Sequence, residues 1–219
     1  MRSLFFALTP LLIPLVLQAQ PEAFPSTYEA PSGPPVLFKN ATILTGDGRR
    51  LDDTDLYIAN GQIQWVGAGE IGPDATAVDA SDRWITPGLI DVHSHLGVYP
   101  SPGVAAHSDG NEATAPVTAE VWAEHSVWPQ DPGFSRALAG GVTAMQILPG
   151  SANLFGGRGV TLKNVPSISY QGMKFPDAPH GLKMACGENP KRVYGGRTQA
   201  PSTRMGNVAA YRSAWIRAQ

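Results

Sequence analysis

The stretch PGLIDVHSHLGVYPSPG, Pro87 to Gly103, decides how this chain is read. A short, mostly apolar run beginning at Leu89 carries two histidines and then breaks into glycine and proline. Side chains two positions apart on a strand share a face, so His93 and His95 point the same way. Two imidazoles at that spacing can hold one divalent ion together, although the pattern alone fits two structural histidines better. Their position, where an apolar strand meets a Pro/Gly loop, is the end of a barrel strand at which active sites gather. Asp91 lies on the same face, and it either orients an imidazole from behind or hydrogen-bonds the backbone.

On the N-terminal side of this stretch, residues 36–86 form short β-branched runs separated by turn residues. Asn60-Gly61 between two of them is a strong hairpin signal. These residues read as a small β unit, too short to be comfortable alone because a chain of that size buries little core. Residues 21–35, PEAFPSTYEAPSGPP, are rich in proline, serine and glycine and read as a linker. Residues 1–20 have an early positive charge at Arg2, an apolar run from Leu4 to Leu17 and a small residue at Ala19, the layout of a secretory signal peptide. An uncleaved anchor is the alternative, but the run is shorter than the roughly 20 apolar residues that span a membrane. A secreted or periplasmic product is therefore expected, with no stable membrane association once the signal is removed.

On the C-terminal side, four strand candidates lie in LIDVHSH, VTAMQILPG, GRGVTLKNV and HGLKMACG, separated in part by helix-like stretches. Strands alternating with helices imply βα units and a parallel sheet. Four strands are half of what a (β/α)8 barrel needs, and the sequence ends inside a helix-like segment with no Gly or Asn cap after Arg217. The expected architecture is α/β: a small β-sandwich unit at 36–86, then the N-terminal half of a TIM-type barrel at 87–219.

Composition narrows the function classes. The 219 residues carry 16 basic and 18 acidic side chains, a formal net charge of −2, with 42% hydrophobic residues. That balance offers no basic stripe to nucleic acid and suits a small-molecule substrate. Cys186 stands alone, which excludes an intrachain disulfide framework and a thiolate zinc cluster.

Taken together, WITPGLIDVHSHLG, RALAGGVTAMQILPGSANLFGGRG and GLKMACGENPKRVYG resemble the metal-dependent amidohydrolase superfamily in its imidazolonepropionase-like branch, across roughly residues 36–217. The resemblance implies a (β/α)8 barrel with a β-sandwich built from both chain ends. It also implies hydrolysis of C–N bonds in cyclic amides, amidines or dipeptides by metal-activated water. Carried over, the first-strand ligands match His93 and His95. A fourth-strand ligand, in many members a lysine carbamylated by carbon dioxide, matches Lys183, with Lys163 and Lys191 behind it. One or two divalent ions, zinc foremost, are implied. The general-base aspartate follows the eighth strand in the family, so no catalytic base is expected within this sequence. In the loop after the first strand, Asp109, Asn111 and Glu112 either touch substrate or form a polar surface turn. His107, His125 and His180 are expected not to be ligands. The alternative to an enzyme is a catalytically inactive half-barrel that binds metal or a partner, or forms a homo-oligomer.

Overall fold

The computed structural model describes residues 24–219, so the signal-peptide segment lies outside the described residues. The N-terminal unit is one sheet. Strands β1 (Val36–Leu44), β2 (Arg50–Ala59) and β3 (Gln62–Gly67) run antiparallel, while β4 (Thr76–Asp79) and β5 (Trp84–Ile85) both join β1 in parallel. Asn60 and Gly61 connect β2 to β3 with φ of 54° and 69°, the left-handed pair that a tight two-residue hairpin requires. One face carries the core: Ala41, Ile43, Leu56 and Ala80 are buried together. Instead of the expected sandwich, residues 36–86 form a single layer. β4 and β5 are short and extend the same edge of β1, so no second sheet forms within residues 36–86.

Residues 24–28, within the Pro-rich segment, lie against the rest of the chain. Ser26 Oγ donates to the Lys174 carbonyl at 2.6 Å, the Thr27 amide to the Gln171 carbonyl at 3.0 Å, and Lys174 Nζ to the Phe24 carbonyl at 2.8 Å.

The second unit begins with β6 (Leu89–Ser94), which pairs in parallel with β7 (Val142–Ile147). Between them lies α1 (Pro132–Ala139), giving one true βαβ unit. The helix starts for local reasons: Pro132 fits its first turn, and the Asp131 carboxylate caps it by accepting from the Gly133 amide at 2.9 Å. The same buried carboxylate accepts from Gly97 N at 2.9 Å, which fixes the loop after β6 to the helix start. A core of Val98, Phe134, Met145, Ile147, Val160 and Leu162 fills the space beneath.

Beyond β7 the parallel expectation fails. β9 (Val160–Lys163) pairs antiparallel with β7, and β8 (Phe155–Arg158) pairs antiparallel with β10 (Leu182–Met184) in a separate two-stranded sheet. The physical reason is the connection: residues 148–159 contain a strand and no helix, so the chain folds back instead of crossing over. Among the described residues, the barrel half is one parallel pair with antiparallel additions rather than four parallel strands. The chain ends with α2 (Glu188–Gly195) and α3 (Arg204–Ala218), the latter capped by Thr203, whose hydroxyl accepts from Gly206 N at 3.0 Å. Lys191 lies on α2, where Pro190 falls in the first turn and does not interrupt the helix.

Large apolar side chains stand in solvent on β6 and α3: Ile90 is 69% exposed, Val92 71% and Met205 79%. They mark faces that no described element covers.

Candidate metal centre

The parallel pairing of β6 and β7 sets their C-terminal ends side by side, with Leu148 N donating to the Ser94 carbonyl at 2.9 Å. His93 is the fifth residue of β6 and His95 follows its end. Their rings meet edge-on with centroids 5.3 Å apart. His95 Nδ1 lies 2.8 Å from the Leu148 carbonyl, an acceptor only, so Nδ1 carries the proton and Nε2 keeps its lone pair.

Lys183 arrives from the other sheet. It is the middle residue of β10, pairs with Gly157 of β8 and is only 9% exposed. Its Nζ lies 3.1 Å from His93 Nε2. Burial pushes the Lys183 amine below the usual lysine range, which favours its neutral form. Gly156 of β8 packs alongside, where a Cβ would sit in ordinary contact with Lys183 Cγ at 3.5 Å and closer, at 3.2 Å, to the Gly150 carbonyl oxygen.

Asp91 takes the backbone role of its two readings, accepting from His93 N at 3.0 Å. The other candidates separate clearly. Lys163 Nζ lies over the rings of Phe175 and Tyr28, at 4.3 and 4.8 Å from their centroids. His107 packs against Trp128, His125 against Phe24, and His180 Nδ1 is 2.9 Å from the Gly159 carbonyl. Among the described residues, no group of three or more His, Cys, Asp or Glu side chains gathers to hold a metal. Two imidazoles with a buried lysine fit a divalent ion only when the lysine supplies a lone pair, as amine or as oxygen-bearing carbamate.

A cavity of about 500 Å³ lies at this end, its lining including Val98 after β6, Pro149 after β7 and Gly156 of β8. Asp109, Asn111 and Glu112 all line it, together with Glu120 and Trp122, which the sequence did not single out. Asn111 also donates from Nδ2 to the Tyr99 hydroxyl, and Tyr99 stands edge-on to His95 at 5.4 Å between centroids. Burial raises the Tyr99 pKa, partly offset by that hydrogen bond, so the phenol stays protonated. Tyr99 was missed because a single tyrosine in a Pro/Gly loop has no periodicity. The available signal was the pair of glycines, Gly110 and Gly150, that make room for it.

No family model matches the sequence. The amidohydrolase tasK of Hapsidospora irregularis is 38% identical over 213 residues, an alignment that takes in 85% of this chain and 22% of that protein. The crystal structure of an amidohydrolase from Thermotoga maritima MSB8 superposes with a TM-score of 0.75 at 47% identity, covering 83% of this chain and 47% of that one. This chain belongs to the amidohydrolase superfamily. Within the superfamily it is also similar, over 77 residues at 38% identity, to an imidazolonepropionase of Cupriavidus necator, covering 33% of this chain and 18% of that enzyme. A D-hydantoinase of Rhizobium radiobacter matches over 61 residues at 44% identity, 28% of this chain and 13% of that enzyme. The chain spans about a fifth of tasK and about half of the Thermotoga structure.

Proposed function

We propose that this chain is the metal-holding N-terminal part of a hydrolase that cleaves C–N bonds with activated water. The observation that carries the reading is the approach of Lys183 Nζ to His93 Nε2, at 3.1 Å, beside a His95 whose Nε2 is left free. A divalent cation, zinc foremost, supplies Lewis-acid activation of water and of the scissile carbonyl. His93 and His95 hold it through ring nitrogens, and Leu148 fixes the His95 tautomer. Lys183, once neutral, adds carbon dioxide to form a carbamate and releases a proton, turning a cation into an oxygen donor. Asn111, Asp109 and Glu112 orient a small-molecule substrate in the adjoining cavity. The general base is proposed to come from later strands of the complete barrel, and the first twenty residues support export to a secreted or periplasmic location.

The substrate classes are those in the relatives' names, hydantoin-type cyclic amides and imidazolones, together with dipeptides. The second reading is a non-catalytic half-barrel that binds metal or oligomerises, and the exposed Ile90, Val92 and Met205 favour it. Release of free amino acids from dipeptides and of ring-opened N-carbamoyl acids from hydantoins, followed by mass spectrometry with and without chelator, separates the two. Chelator-sensitive release by the complete barrel, abolished by Lys183→Met, is expected. Release that survives chelation would overturn the metal reading, and no release at all from the zinc-loaded complete barrel would favour the non-catalytic reading.

A further inference from the structure

Beside the proposed metal centre lies a smaller cavity of about 200 Å³, whose lining includes Tyr99, Asn111, Ser151, Asn189 and Arg192. Its hydrogen-bond polarity can be worked out group by group. Asn111 Oδ1 accepts from Ala152 N at 3.0 Å, which fixes the amide orientation and makes Nδ2 the donor to the Tyr99 hydroxyl oxygen. Asn189 Nδ2 likewise donates to Ser151 Oγ at 2.7 Å. Both hydroxyl oxygens are thereby occupied as acceptors, and each hydroxyl proton is left to point at something else. The fifth residue, Arg192, has donors only. Its sole ion pair among the described residues is to Glu188, one helical turn away at 3.6 Å and largely exposed, a contact that a better acceptor displaces.

We propose that this cavity is a carboxylate subsite, with Tyr99, Ser151 and Arg192 as its donors, and that the substrate is an amide bearing a free carboxylate, such as a dipeptide or an N-acyl amino acid. Three donors on a pocket without an acidic lining residue select an anion, and Arg192 offers the planar fork that matches a carboxylate. The acidic side chains Asp109, Glu112 and Glu120 lie in the larger cavity, which shares Asn111 with this one. Tyr99 is held in place by close packing. A Cβ on Gly110 would fall 2.1 Å from its Cζ, and one on Gly150 would fall 2.1 Å from its hydroxyl oxygen. The segment GENPKRVYG, distinctive in sequence, thus gains a role through Asn189 and Arg192.

This assignment rests on the hydrolase reading for its substrate but not for its binding, so the test uses the full chain first stripped of metal by chelator. N-acetylglycine and its neutral counterpart N-acetylglycinamide are titrated by calorimetry, and zinc stoichiometry is measured separately on reloaded samples. The acid is expected to bind about tenfold more tightly than the amide, in keeping with charge-assisted hydrogen bonds. Arg192→Met and Tyr99→Phe, both at sites with solvent exposure, are each expected to reduce that preference at least ~5-fold while leaving zinc uptake unchanged. Equal binding of acid and amide, or a preference that survives Arg192→Met, would overturn the subsite. Failure of the wild-type chain to take up zinc would instead overturn the metal reading and leave the carboxylate preference to stand or fall on its own titration.

Discussion

Lys174→Met should destabilise the chain by about 3–5 kcal/mol, the cost of leaving one member of a buried ion pair alone. Lys174 Nζ lies 2.6 Å from Glu124 Oε2, and the two side chains are 4% and 1% exposed. The ammonium also donates to the Phe24 carbonyl at 2.8 Å, while Glu124 Oε1 has no hydrogen-bond partner among the described residues. Removing the lysine would strand a carboxylate whose charge, among the described residues, is compensated by that contact. The double variant Glu124→Gln/Lys174→Met should recover more than half of the loss, because a neutral amide is cheaper to bury than a charge. Urea denaturation of the three proteins measures this, and a loss under about 1 kcal/mol for the single variant would contradict it. The consequence reaches the cavity, since Ala123, His125 and Ser126 on either side of Glu124 line its wall.

The second large effect concerns Lys183. Replacing it with methionine keeps the length and apolar stem but removes the group that lies 3.1 Å from His93 Nε2. Zinc affinity should fall more than ~100-fold, beyond the ~10–100-fold expected when only an outer partner of a ligand is lost. The fold should survive, because β10 pairs with β8 through backbone and methionine packs well in an irregular gap. Labelling with ¹³C-bicarbonate provides a second check: a carbamate resonance present in the wild type and absent from Lys183→Met. Unchanged zinc affinity in the variant would remove Lys183 from the ligand set.

Much of the local structure was legible in the sequence, because it is set by local chemistry. Asn60-Gly61 specified its hairpin, and the apolar runs at 89–94, 142–147, 160–163 and 182–184 all became strands. Pairing was not legible. Whether β9 runs with or against β7 depends on what the connecting residues do, and PGSANLFGGRG, which leaves β7 as a loop, also holds the strand β8. Glycine has weak strand propensity, and Gly156 and Gly157 are in β8 because of close approach: a Cβ at Gly157 would fall 2.5 Å from Val121 Cγ2. For the site, the H-x-H spacing and the lone lysine of HGLKMAC could be read directly. The Glu124–Lys174 pair and the wedged Tyr99 could not, since each joins residues far apart in sequence with no repeating pattern to reveal them.

The central claim is that His93, His95 and Lys183 form one metal centre. Its most direct test is zinc content after equilibration with zinc and gel filtration, comparing the wild-type chain with His93→Ala/His95→Ala. At least one bound zinc per wild-type chain, and none in the double variant, is the predicted result. Equal zinc in both would contradict the account.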